Sequence, residues 1–106
     1  MTKTEAKEIA LEMWRYLKDN PELEDKTQVP KEMLDKLDTM YYCALCEVFP
    51  KCKVHYPLVG NEINCPLYNC IDGPYIEWVC CHTIEGRKKY ATEVVKLIEA
   101  WEVTNE

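Results

Sequence analysis

The stretch Glu85-GRKKYATEVVKLIEAW-Glu102 carries Tyr90, Ala91, Val94, Val95, Ile98 and Trp101 at steps of three and four residues. Those steps put them on one face of a helix with 3.6 residues per turn. Lys88, Lys89, Thr92, Glu93, Lys96 and Glu99 fall on the outer face, with Lys89 and Glu93 an i,i+4 pair of opposite charge in the less favourable order. The basic run Arg87-Lys88-Lys89 is short, lies among acidic residues and reads as a solvated helix face. A helix with one apolar face must bury it against another element, so the fold class depends on what the rest of the chain offers.

The N-terminus offers a second stripe. Thr2-Lys3-Thr4-Glu5 fits a capping box, in which the Thr2 hydroxyl and the Glu5 carboxylate satisfy each other's backbone amides. Ala6, Ile9, Ala10, Met13 and Leu17 follow at helical spacing, flanked by Trp14 and Tyr16. Asn20-Pro21 stops the helix, because the residue before a proline is pushed out of the helical region. Glu22 to Gln28 reads as a polar, acidic loop. Pro30 is then expected to open a second helix at its first position, where a missing N–H costs nothing. Its apolar face would be Met33, Leu34, Leu37 and Met40/Tyr41, and it would lead the chain to Cys43.

Between the two arms lie all seven cysteines, from Cys43 to Cys81. An odd count fits a disulfide framework poorly, and a reducing compartment disfavours one. Cys43 and Cys46 are spaced C-x2-C, which lets a tight turn aim both sulfurs at one ion. Cys65 and Cys70 are spaced C-x4-C, with 18 residues between the two pairs, a linker length that resembles four-cysteine zinc sites. The ligand set read from this spacing is Cys43, Cys46, Cys65 and Cys70, with Cys52, His55, Cys80, Cys81 and His82 as substitutes. Four thiolates in a tetrahedron suit Zn2+, and the ferredoxin spacings of iron–sulfur proteins are absent. A closed set of four ligands leaves no open position, so the zinc would be structural and not hydrolytic. Pro50, Pro57, Pro66, Gly60 and Gly73 make the centre loop-like. About 30 residues of loop in a small domain calls for something to hold it. Pro74 to Val79 could begin a short helix.

The expected fold is therefore mostly α: a single domain, residues 1–106, with long N- and C-terminal helices around a Cys-rich metal-bound loop region. Residues 1–42 form the N-terminal helical arm, 43–82 the Cys-rich centre and 83–106 the C-terminal helix. The net charge is −6, −3 from residues 1–42 and −3 from residues 43–106, and four thiolates on one Zn2+ would add two more negative charges. That balance argues against direct binding of nucleic acid, which needs a basic stripe. No apolar run reaches the roughly 18 residues that a membrane crossing needs. The charged first turns do not read as a secretory signal, so the expected location is cytoplasmic.

No G-x-S-x-G, P-loop or H-E-x-x-H motif is present. Trp14, Trp78 and Trp101 sit near apolar stripes and read as core anchors. Tyr41, Tyr42, Tyr56, Tyr68 and Tyr75, around the cysteines, could instead form a recognition surface.

The segments Cys43-Ala-Leu-Cys46-Glu47, Cys65-Pro66-Leu67, Cys70 and Tyr75-Ile-Glu-Trp78 go with Trp14 to Leu17, Asn20-Pro21 and the helix at Arg87 to Tyr90. Together they resemble small cysteine-rich phage-encoded proteins of unknown function. In that pattern a cysteine stands three residues before the C-P-L cysteine. Glu62 occupies the position here, which raises Cys52 as a replacement ligand. The resemblance implies a viral origin and the host cytoplasm. The expected function is a non-enzymatic structural-zinc protein that binds a protein partner, such as a host defence or replication factor, as an inhibitor. The alternative is a thiol- or metal-dependent small enzyme.

Overall fold

The computed structural model describes residues 2–37 and 73–103, and these are mostly helical, without strands. Helix α1, Lys3–Asp19, opens on the Thr2–Glu5 capping box: Glu5 N donates to Thr2 Oγ1 at 3.1 Å, and Thr2 N donates to Glu5 Oε1 at 3.3 Å. Asn20 closes the helix, its backbone N–H and its side-chain amide both donating to Tyr16 O. The buried residues are Ala6, Ala10, Met13, Trp14 and Leu17. Trp14 is thus a core residue and not a flank, while Ile9 is only half-buried.

The chain from Glu22 to Gln28 is more ordered than a polar loop. Lys26–Gln28 form a single 3-10 turn capped by Asp25, whose carboxylate accepts from Thr27 N at 2.8 Å. Gln28 reaches back to accept from Glu24 N and Asp25 N at 2.7 and 2.9 Å. Local side-chain bonds of this kind give the backbone partners without a helix or sheet ladder. The turn carries Val29 into the core.

Helix α2, Lys31–Leu34, is a single turn, with Pro30 as its N-cap and not its first helical residue. The helix expected to continue to Tyr41 ends after Leu34, and Leu37, beyond it, is buried. One turn gains little from its own hydrogen bonds, and the burial of Leu37 with half-buried Met33 and Leu34 holds the segment. Met40, Tyr41 and the cysteines up to Cys70 lie outside the described residues.

Helix α3, Pro74–Cys80, begins with proline at its first turn after the N-cap Gly73. Helix α4, Ile84–Ala100, is capped by Thr83, whose hydroxyl accepts from Gly86 N at 3.0 Å. Its buried face is Arg87, Ala91, Val94, Val95 and Ile98. The stripe is the expected one with two changes: Tyr90 and Trp101 are half-buried, and Arg87, expected in solvent, is enclosed.

Helices α1 and α4 run antiparallel. Lys7, near the start of α1, donates to Trp101 O and, at 3.4 Å, to Glu99 O at the end of α4. At the other end, the turn after α1 meets Arg87. The last turn of α4 has no basic residue of its own, so Lys7 supplies from α1 the cation that its final carbonyls favour. Arg15 pairs with Glu99 at 2.9 Å on the exposed edge of the same seam. The small residues Ala6, Ala10 and Ala91 are almost fully enclosed in this core, together with Leu17, Val94 and Ile98. Helix α3 packs onto α4, bringing Trp78 against Trp14, with ring centroids 5.1 Å apart and planes at 80°.

Candidate functional site

The four expected metal ligands, Cys43, Cys46, Cys65 and Cys70, lie outside the described residues, as do the substitutes Cys52 and His55 and the tyrosines 41, 42, 56 and 68. The structure places the remaining substitutes, Cys80, Cys81 and His82, together at the junction between α3 and α4. Among the described residues, no group of three or more His, Cys, Asp or Glu side chains is arranged to hold a metal ion.

Helix geometry builds this junction. Cys80 ends α3 and is exposed, Cys81 caps it and is half-buried, and both are free thiols. The backbone leaves the helical region at Cys81 and stays extended at Thr83, which turns the chain into α4. Cys81 Sγ then lies 3.7 Å from Thr83 O and 3.6 Å from Thr83 Oγ1, beside the first turn of α4. Gly86 leaves room for it: a Cβ at position 86 would stand 2.3 Å from Cys81 Sγ and 2.7 Å from Thr83 Oγ1.

Hydrogen bonding from the Thr83 backbone, then from its hydroxyl, holds the Cys81 thiol below the usual cysteine range, and the Arg87 guanidinium adds to the effect. Burial and the Glu77 carboxylate oppose it. Thiolate is the form that attacks electrophiles and binds metals, so the shift favours Cys81 for either chemistry.

Arg87 was not foreseen as part of any site. Only 4% of it is exposed. Its Nε donates to Pro21 O at 2.7 Å and its Nη1 to Cys81 O at 3.3 Å. One guanidinium thus ties the turn after α1 to the α3–α4 junction, using the fork of donors that lysine lacks. The signal in the sequence was positional: residue 87 lies four before Ala91, seven before Val94 and eleven before Ile98, near the centre of the apolar stripe, whereas Lys88 falls at its edge and Lys89 on the opposite face.

Lys26 is, with Arg87, a buried cation among the described residues, at the edge of the aromatic cluster. Its Nζ donates to Tyr75 Oη at 2.6 Å and stands 4.7 Å from that ring's centre. Tyr75 meets Trp14 edge-on at 5.7 Å, which makes it a core contact and not a free recognition tyrosine. Trp78 is buried, and its Nε1 has no hydrogen-bond partner among the described residues. The tryptophans expected as anchors divide accordingly: Trp14 and Trp78 are core, and Trp101 is half-buried at the end of α4.

No helix among the described residues is long and apolar enough to cross a membrane. No protein-family model, curated protein or solved structure matches this chain.

Proposed function

We propose that the chain is a non-enzymatic, zinc-stabilised binding module in which Cys43, Cys46, Cys65 and Cys70 hold one structural Zn2+ and the surrounding surface docks on a protein partner. The observation that carries the reading is the confinement of all seven cysteines to positions 43–81, four of them in one C-x2-C and one C-x4-C pair. Supporting it, the N- and C-terminal arms pack on each other through α1 and α4, so the long central segment starts and ends on a common framework. The acidic charge favours a protein partner over nucleic acid. Phage origin, action in the host cytoplasm and inhibition of a host defence or replication factor belong to the same proposal, on the resemblance described above.

The test is elemental analysis of protein purified without chelator, together with a count of reactive thiols. One zinc per chain and three reactive thiols are expected from seven cysteines with four as ligands. Metal-free protein with all seven thiols reactive would overturn the zinc site and leave a helical domain with free cysteines.

A second reading, a small thiol-dependent enzyme, is favoured by one observation: the Cys81 thiol is biased toward thiolate beside the first turn of α4. It requires Cys81 to react as a nucleophile near neutral pH, and the pH profile of its alkylation decides whether it does.

A further inference from the structure

We draw no further inference here: the strongest candidate, the Cys81 thiol seated against Gly86 beside the first turn of α4, is a single cysteine at a helix end, and nothing in the structure shows a ligand there.

Discussion

Arg87 and Cys81 show how single residues acquire properties from their neighbours. A buried guanidinium is costly unless its donors are met, and here two backbone carbonyls, Pro21 O and Cys81 O, accept from it. Hydrogen bonds to charged groups contribute about 1.5–3 kcal/mol each, and removing the donor leaves two partly buried carbonyls without it. Arg87→Met is therefore expected to cost about 2–3 kcal/mol, with Arg87→Lys recovering only part, since one ammonium does not reproduce the fork. Urea unfolding measures both, and an unchanged midpoint for the Met variant would refute the clamp. For Cys81 the sign follows from the direction of its shift. The folded state favours the thiolate, so the group stabilises the fold above the ordinary cysteine value of about 8.5, and that contribution is lost as pH falls through the lower folded value. Alkylation of Cys81 by iodoacetamide, followed by peptide mass spectrometry, should titrate at lower pH in the folded chain than in urea. Thr83→Val should raise the folded midpoint, because the hydroxyl is lost. Equal profiles in folded and unfolded protein would remove the bias, and the thiol-enzyme reading with it.

At the scale of elements, the helix ends are where local chemistry and packing meet. Thr2 and Thr83 are both N-caps, and Thr83 also touches a cysteine, Cys81. Gly86 lies inside α4, where alanine would ordinarily add about 1 kcal/mol of helix stability. A Cβ there would collide with Cys81 Sγ, so Gly86→Ala is expected to destabilise the chain instead. In a Cys81→Ala background the penalty should shrink, giving a coupling energy of order 1 kcal/mol in a double-mutant cycle. Additive single effects would show that Thr83 or the backbone sets the restriction and not the sulfur. Element identity was legible in the sequence where a stripe and a cap agreed: α1 began at its capping box and ended at Asn20, and α4 lay within two residues of the range read from its apolar spacing. It was not legible for α2. Met33, Leu34 and Leu37 have helical spacing, yet Leu37 reaches the core after the helix has ended, because burial sets where a residue points once a single turn has no cooperative length of its own.

For the whole molecule, the antiparallel pairing of α1 with α4 is the organising contact. Residues from positions 6 to 17 and from 91 to 98 enclose one another, and α3 adds Trp78 to Trp14. If the central cysteines hold zinc, metal binding adds to the stability of the whole domain, because a ligand that binds only the folded chain stabilises it by about 4 kcal/mol at a thousand times its dissociation constant. A chelator should then lower the thermal midpoint of zinc-loaded protein by several degrees, and added zinc should restore it. A midpoint indifferent to chelator, in protein that contains zinc, would mean that the ion contributes nothing to the fold. By itself the sequence determined the helical class, the caps of α1, the two apolar stripes and the clustering of the cysteines, because each depends on spacing along the chain alone. Only the tertiary structure decided that Arg87 and Lys26 are enclosed, that Tyr75 belongs to the aromatic core, that Lys7 serves the end of a helix 92 to 94 residues away, and that the Cys81 thiol is biased toward its charged form. Each of these depends on which distant groups surround a side chain, and periodicity along one strand of sequence holds no information about the partner across the core.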